Sequence, residues 1–353
     1  MAMECSQRHG RPVRTVAVTG VSGSLGQRVL AQLAAAAEVG GVVGLDRATP
    51  PEWPAKLRFH PLDLATADLA PRLEGVDWVA HLAWSEAGPN LEATRRLLDA
   101  ASTAGVGHLV HLSCATVYGA WPDNPVPIAE DGALRPNPQF REGVEKAEAE
   151  RMVAEWAVQH PAVKVTILRP AVVLGEGSPG PLARALFPVL TIRGRGEGPP
   201  IQFVDADDVA AAVVGSLVRG AEGVFNVAPD GWIGDELLRS LVGPPARLPL
   251  SRRVAERAAA AVHWLRGGKA PRHAAAFGRH PLVVANDRLR ATGWSPRHTN
   301  EEALVASPLA GRWPELSPKR RQEVALGLAA GVAASLVAGA LGLARRARRR
   351  RAS

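Results

Sequence analysis

The chain has 353 residues, more than one typical domain, and a net charge of +8 at neutral pH. Its two cysteines, Cys5 and Cys114, exclude a disulfide framework and indicate a reducing cytoplasm. Residues 319–353 hold nine basic residues and one acid, and the rest of the chain has 33 of each sign. The basic charge therefore belongs to a C-terminal tail. Nucleic-acid binding is not predicted, because no recognised reader module accompanies these arginines.

A glycine-rich turn follows the N-terminal segment. Residues 1–13 are polar, without an apolar secretory core, and are predicted to be a disordered leader. A strand at 14–18 then leads through the turn into a helix predicted over 24–37. The turn's glycines would allow a tight bend, close approach of a pyrophosphate and close helix packing, and N–H groups at the helix start would face the phosphates. The residues predicted to contact a dinucleotide are Gly20, Ser22, Gly23, Ser24, Leu25 and Gly26.

An acidic residue ends the next predicted strand. Residues 42–45 are apolar, and Asp46 stands 20 residues after Gly26. A carboxylate there accepts hydrogen bonds from the adenine-side ribose and repels a 2′-phosphate, which favours NAD over NADP. The neighbouring Arg47 leaves NADP open, because a guanidinium could hold that phosphate. The alternative is a surface turn that binds nothing, which the register of strand, helix and acid disfavours.

Further along, apolar strands alternate with helical stretches. Strands are predicted at 76–82, 108–113, 163–168 and 223–227, and helices at 89–105, 141–159 and 206–219. This alternation predicts an α/β fold of the Rossmann type. Such a fold is a doubly wound parallel sheet with right-handed crossovers and a ligand at the carboxyl ends of the strands.

Patterns for metal or hydrolytic chemistry are weak. Asp205, Asp207 and Asp208 stand before an apolar helix, so capping explains them better than a metal site. The ten histidines lack metal-ligand spacing, and Ser22 and Ser24 do not lie in a Gly-x-Ser-x-Gly elbow. We therefore predict neither a metal ion nor a hydrolase triad.

Two helices are predicted near the C-terminus. The first, at 252–266, is amphipathic. The second, at 324–344, has 21 uncharged residues and would be about 31 Å long, enough to span a bilayer. Its Ala/Gly-rich composition makes insertion marginal, and a span from the cytoplasm would place six arginines outside, against the positive-inside rule. An interfacial helix on the inner face of the membrane, in contact through 324–351, avoids this conflict. A flexible tail or a helix docked on the fold is the alternative.

Gly20, Gly23 and Gly26 have the spacing Gly-x2-Gly-x2-Gly, and seven further motifs lie after them along the chain. They are LDL at 62–64, HLAW at 81–84, LSCATVYG at 112–119, LRPA at 168–171, FVDADDVA at 203–210, VFNVA at 224–228 and GWSP at 293–296. In their order and spacing, the chain resembles the extended short-chain dehydrogenase/reductase family, in its NAD-dependent epimerase/dehydratase group, over about residues 14–310. The resemblance implies a Rossmann domain over 14–311 with a smaller C-terminal substrate-binding part, built mainly from 175–200 and 229–311.

The resemblance also implies cofactor contacts beyond the glycine turn. Asp63 and Leu64 would contact the adenine. The middle of the cofactor would be lined by Leu82, Ala83 and Trp84, and the nicotinamide would be flanked by Pro170 and Val172. Capping of a following helix is the alternative role of Asp63.

The family's catalytic residues are only partly present. In the family, a tyrosine four residues before a lysine transfers the proton, the lysine lowers the phenol's pKa and holds the ribose, and a serine or threonine aligns the reacting hydroxyl. Lys146 matches that lysine and is expected to contact the ribose. Glu142 occupies the tyrosine position and Cys114 the serine position. The chain's single tyrosine is Tyr118.

Several side chains could replace the missing groups. Glu142 could be a base if buried, or could form an exposed ion pair with Lys146 one helical turn away. Cys114 could hydrogen-bond, act as a nucleophile, or be a small buried residue. Thr116 would face the same side as Cys114 on a strand. Tyr118 could transfer the proton or shape the pocket wall.

Two functions are therefore open. One is an NAD(P)-binding oxidoreductase or epimerase that transfers a hydride on a small alcohol, ketone or sugar-type substrate. The other is a catalytically silent NAD(P)-binding sensor or scaffold, held at the membrane by the tail. By analogy with the family, a homodimer through the helices at 89–105 and 141–159 is expected.

Overall fold

The computed structural model describes residues 13–175, 198–242 and 276–308, with single positions at 183, 319 and 323. Several predicted segments lie outside the described residues: the leader apart from residue 13, most of 176–197, the helix at 252–266 and the tail at 324–351.

A parallel sheet organises the described part of the chain. Its strands are β1 (Arg14–Thr19), β2 (Val39–Asp46), β3 (Leu57–Pro61), β4 (Trp78–His81), β5 (His108–Leu112), β6 (Lys164–Pro170), β7 (Val172–Leu174), β8 (Phe203–Asp205) and β9 (Gly223–Val227). Seven of them form one sheet in the order β3-β2-β1-β4-β5-β6-β9, and every neighbouring pair is parallel. The strand order reverses beside β1, so a crevice opens at the carboxyl ends of β1 and β4. The predicted doubly wound α/β fold is confirmed.

The helices in the described part of the chain are α1 (Ser24–Ala35), α2 (Asn90–Ala104), α3 (Arg141–Gln159), α4 (Ala206–Arg219), α5 (Asp235–Val242), α6 (Asp287–Arg290) and α7 (Asn300–Ala306). Side chains alternate along β1, so Val16 and Val18 pack in one hydrophobic core with α1 and α4. Ala17 packs in the other core, with α2 and α3. None of the described helices is both long and apolar enough to cross a bilayer.

The three acids before α4 have structural partners. Asp205 is the N-cap of α4 and accepts a hydrogen bond from the Asp207 N–H at 2.7 Å, which confirms the predicted cap. Asp207 pairs with Arg28 of α1 at 3.1 Å. The buried carboxylate of Asp208 accepts from the N–H groups of Arg297 and His298, each at 2.9 Å. Within the described ranges, no three His, Cys, Asp or Glu side chains are grouped as metal ligands.

A smaller part lies beside the main sheet. β7 and β8 form a parallel pair, and α7 packs against them. A third hydrophobic core joins these strands to neighbouring segments, with Val172, Leu174, Ile201, Phe203 and Ile233 among its members. β7 follows β6 after a single residue, so this part begins at the carboxyl end of β6.

Candidate functional site

Two glycines of the turn are required by packing within the protein. Gly20 has φ +73°, and a Cβ on it would lie 2.8 Å from the backbone N and Cα of Ala83. A Cβ on Gly26 would lie 2.1 Å from the carbonyl oxygen of Gly20. Any side chain at either position would therefore push the turn away from α1 or from the segment after β4.

The third glycine faces a different environment. Gly23 is the N-cap of α1, without a side-chain cap, and the first turn of that helix carries no acidic residue. A Cβ on Gly23 would meet only the Gly20 carbonyl oxygen, at an ordinary 3.4 Å. The positive end of the helix dipole is therefore left without a compensating side chain beside Ser24 and Leu25, which suits an anion.

Asp46 ties the end of β2 to the glycine turn. One carboxylate oxygen accepts from the Ser22 N–H at 3.0 Å, and the other accepts from the Arg47 N–H at 2.7 Å. The Ser22 hydroxyl donates to the carbonyl of Ala48. The Arg47 side chain is exposed. The Asp46 carboxylate is thus fixed beside the turn, where the sequence places a ribose.

A buried hydrogen-bond chain fixes the segment after β4. The Thr19 hydroxyl oxygen accepts from the N–H groups of Leu82 and Ala83, each at 3.2 Å, so its own proton goes to His81 Nδ1 at 2.8 Å. His81 Nε2 then carries the single N–H proton of the neutral ring and donates it to Thr94 Oγ1 of α2 at 3.0 Å. Burial, with a smaller effect of the Lys146 charge, lowers the pKa of His81 to about 3, so the ring stays neutral. Sequence reasoning missed Thr19 and Thr94, since single threonines in apolar elements carry no specific signal.

The expected adenine and nicotinamide contacts lie at strand ends. Asp63 Oδ1 accepts from the Ala65 N–H at 2.9 Å and so closes a turn; the helix that it was expected to cap is not formed there. Leu64 is buried next to it. Pro170 ends β6 and Val172 begins β7, and both are buried.

Lys146 is buried in the first turns of α3. Only 4% of the residue is exposed, its ammonium donates to the Leu112 carbonyl at 2.9 Å, and it lies 4.1 Å from the centre of a Trp84 ring. The interpretation of Lys146 and Glu142 as an exposed helix ion pair is therefore wrong about exposure, because this face of α3 packs against the end of β5. Gly143 permits that packing, since a Cβ there would lie 3.0 Å from the Thr116 carbonyl oxygen.

Glu142 lies one helical turn from Lys146 and is half-buried. Burial raises the pKa of its carboxyl, the Lys146 charge opposes this rise, and Glu86 and Glu145 reinforce it. The burial that a functional carboxyl would need is thus partial, and the catalytic role of Glu142 stays a prediction.

Cys114 and Thr116 lie together, although the strand on which they would share a side does not reach them. β5 ends at Leu112, and Cys114 is the N-cap of a 3-10 turn at Ala115–Tyr118. The Cys114 sulfur and the Thr116 hydroxyl are 2.6 Å apart. Burial raises the pKa of the Cys114 thiol to about 12, against the lowering effect of the Lys146 charge. The thiol is protonated, so the structure argues against Cys114 as a nucleophile.

Tyr118 belongs to a buried network below the site. Its hydroxyl donates to Asn226 Oδ1 at 2.8 Å and accepts from Arg169 Nη1 at 2.7 Å. Arg169 forms a buried ion pair with Glu150 at 2.6 Å, and burial raises the pKa of Tyr118. With both partners fixed and 1% of the residue exposed, Tyr118 is not placed to transfer a proton to a substrate. The catalytic alternative for Tyr118 is therefore corrected to a structural role.

Comparisons with known proteins agree with this architecture. The sequence model described as the NAD dependent epimerase/dehydratase family matches residues 16–228. An uncharacterized protein of Sinorhizobium fredii is 28% identical over 340 residues, 84% of this chain and 78% of that protein. The structure of MoeE5 in complex with UDP-glucuronic acid and NAD is similar with a TM-score of 0.63 and 23% identity, over 86% of this chain and 100% of that one. UDP-glucose 4-epimerase from Thermotoga maritima, solved with UDP-glucose, has a TM-score of 0.63 and 21% identity, over the same shares.

The matched residues contain the glycine turn, the seven-stranded sheet except the first two residues of β1, and α3 with Lys146. They amount to more than half of the 353-residue sequence. The chain belongs to the NAD-dependent epimerase/dehydratase family.

Proposed function

We propose that this protein binds NAD and transfers a hydride between the nicotinamide and a small alcohol or ketone, with Glu142 exchanging the proton. Family membership supports the hydride chemistry. A nucleotide sugar is the substrate class we favour, since structures similar to this chain were solved with UDP-glucuronic acid and UDP-glucose. The observation that carries the proposal is the half-buried carboxyl of Glu142 one helical turn from Lys146, in the position where the family has its proton-transferring phenol.

The residues of the glycine turn suit NAD. At Gly23 protein packing does not demand a glycine, whereas close approach of a pyrophosphate to the start of α1 does. The Asp46 carboxylate is held at the turn by the Ser22 N–H, where it would accept hydrogen bonds from the ribose hydroxyls and repel a 2′-phosphate. When bound, NAD supplies the hydride acceptor. Lys146 would donate a hydrogen bond to the ribose on the nicotinamide side of the cofactor. The part that contains β7, β8 and α7 would cover the substrate.

Glu142 is suited to exchange a proton with a substrate hydroxyl. An ordinary glutamate is a weak base towards an alcohol, but the raised pKa of Glu142 reduces the mismatch between the two groups. The Lys146 charge keeps the ionised form accessible. Thr116 offers a hydroxyl that can orient the substrate oxygen, and the protonated Cys114 thiol can hydrogen-bond with it. Proton transfer therefore needs no phenol in this arrangement.

Turnover of bound NAD tests this proposal. The protein is mixed with NAD and a panel of nucleotide sugars, and formation of the reduced nicotinamide is followed by absorbance. We expect reduction by at least one sugar, with the rate rising with pH as Glu142 ionises. Glu142→Gln should lower that rate by about 100-fold or more, while Glu148→Gln, an exposed position on the same helix, should not. A full rate and an unchanged pH profile in Glu142→Gln would contradict the role of Glu142.

A catalytically silent NAD-binding sensor or scaffold is the second candidate. It is favoured by one observation: neither the Cys114 thiol, with its pKa of about 12, nor the enclosed Tyr118 phenol can take over the family's proton transfer. This function predicts tight NAD binding with no reduction by any sugar in the panel. Turnover that depends on Glu142 would exclude it.

Location and assembly are proposed from the sequence. We place the protein in the cytoplasm, with the tail at 324–351 in contact with anionic lipid on the inner face of the membrane. A homodimer through α2 and α3 is proposed by analogy with the family alone.

A further inference from the structure

The surroundings of the Lys146 ammonium are unusual for a buried cation. In the described structure its hydrogen-bond acceptor is one carbonyl, that of Leu112, and the face of the Trp84 ring lies 4.1 Å away. A buried charge needs compensation from charged or polarisable partners, and one carbonyl supplies only part of it. Tryptophan offers the strongest cation–π partner among the side chains, and the interaction gains strength when water is excluded.

The backbone is held in place on both sides of Trp84. Before Trp84, the N–H groups of Leu82 and Ala83 donate to Thr19 Oγ1 at the end of β1. After it, the Asn90 side chain accepts from the Ser85 N–H at 2.9 Å and donates to the Ser85 carbonyl at 2.8 Å. The segment that carries Trp84 is therefore anchored both to the glycine-turn strand and to the start of α2.

The same anchor reaches α3. Asn90 Nδ2 also donates to Glu145 Oε2 at 3.0 Å, one residue before Lys146. Trp84 and Lys146 are thus brought together by contacts on either side of them.

We infer that Trp84 is a positioning residue whose indole face holds the Lys146 ammonium at the carboxyl end of β5, in the place from which it reaches the cofactor ribose. In this chain the carboxyl of Glu142 stands in the place of a phenol, so a lysine without the indole would be drawn towards that carboxyl. This inference rests on the proposed binding of NAD.

A double-mutant cycle tests the inference. The variants are Trp84→Leu, which removes the ring, Trp84→Phe, which keeps an aromatic face, Lys146→Met, and the double change Trp84→Leu with Lys146→Met. Each is measured twice, by urea unfolding without cofactor and by calorimetric titration with NAD. If Trp84→Leu does not fold, Trp84→Met replaces it as the variant without a ring.

Trp84→Leu should weaken NAD binding about tenfold and Trp84→Phe less than about threefold. In the Lys146→Met background, Trp84→Leu should change neither NAD affinity nor stability further. The inference would be overturned if the effects of the Trp84 and Lys146 substitutions on NAD affinity and stability were purely additive. It would also be overturned if Trp84→Leu and Trp84→Phe lost the same NAD affinity, because either result would show that the ring acts through packing alone. Tighter binding in Trp84→Leu would overturn it as well, because the indole would then occupy the place of the ribose. If the unmodified protein does not bind NAD, the proposed function and the ribose part of this inference are both overturned. The unfolding cycle tests the contact between Trp84 and Lys146 independently of NAD, so it distinguishes failure of this inference from failure of the proposed function.

Discussion

At the scale of single residues, the site depends on charges placed where water is scarce. Lys146 is 4% exposed, and Glu142 is half-buried one helical turn away. Burial disfavours the ionised form of a carboxyl, and in Glu142 this effect outweighs the attraction of the Lys146 charge. A carboxyl whose pKa is shifted by burial is typical of a functional site, where residues are placed for reactivity even at a cost to folding stability.

This imbalance predicts a pH-dependent effect of Glu142 on stability. Because its pKa is raised in the folded protein, the folded state holds the proton more tightly than the unfolded state. The resulting stabilisation is complete below the ordinary value of 4.5 and is lost as the pH rises through the raised pKa. Glu142→Gln should therefore raise the free energy of unfolding near neutral pH, with the gain shrinking towards acidic pH. Urea unfolding over a pH series measures this.

Glu148→Gln on the exposed side of α3 is the matched control and should leave the profile unchanged. A Glu142→Gln variant that is less stable than the unmodified protein at neutral pH would show that the carboxylate is favourably paired instead.

The sequence predicted where the candidate site residues lie in the fold better than it predicted which side chains contact each other. Lys146, Asp46 and the glycines were placed by spacing, because a motif ties each of them to a strand end or a helix start. The contact between Trp84 and Lys146 could not be predicted in this way. It joins the segment after β4 to α3, and its geometry depends on strand register and helix packing, which no local pattern records.

At the scale of elements, a buried polar network joins α3 to the sheet. Arg169 of β6 pairs with Glu150 of α3, and both are almost fully buried. Ser113 donates to the same Glu150 carboxylate, and Arg169 also donates to the hydroxyl of Tyr118. This network holds α3 against the ends of β5 and β6, and so fixes the helix that presents Glu142 and Lys146.

Breaking the buried pair should be costly. Arg169→Met leaves the Glu150 carboxylate buried without its cation, which should lower the free energy of unfolding by about 3–5 kcal/mol. Arg135→Met, which breaks the exposed pair with Asp123, should lower the free energy of unfolding far less, because water screens both charges. Denaturant unfolding of both variants measures the difference. Equal losses would show that the buried network does not hold α3 in place.

The elements themselves were largely predictable. The bounds of α3 and α4 were predicted to the residue, since each has a clear apolar periodicity and a defined start. The strand predicted at 108–113 ends one residue earlier, at Leu112, and the sequence did not predict the 3-10 turn at Ala115–Tyr118. That turn packs against Gly143 of α3, a tertiary contact that no local pattern records.

At the scale of the whole molecule, the basic charge and the dinucleotide site occupy different parts of the chain. Outside residues 319–353 the numbers of acidic and basic residues are equal. Long-range attraction to an anionic membrane should therefore come from the tail alone.

The arginines of the C-terminal tail lead us to predict membrane binding that weakens as salt is added. The full chain should sediment with vesicles that contain anionic lipid but not with zwitterionic vesicles, and the bound fraction should fall as salt is added. Replacing the six arginines at 345, 346 and 348–351 by glutamine should weaken this binding strongly without changing NAD affinity. Equal sedimentation of both proteins would show that the arginines do not carry the contact.

We expect the turn from Gly20 to Gly26 to hold NAD, and calorimetric titration of the full chain with NAD and NADP measures that binding. We predict saturable binding of NAD, weaker binding of NADP because of Asp46, and a loss of about tenfold or more in Gly23→Ala at unchanged stability, since a methyl group there meets cofactor rather than protein. Absence of binding for both dinucleotides, or full affinity in Gly23→Ala, would contradict the account.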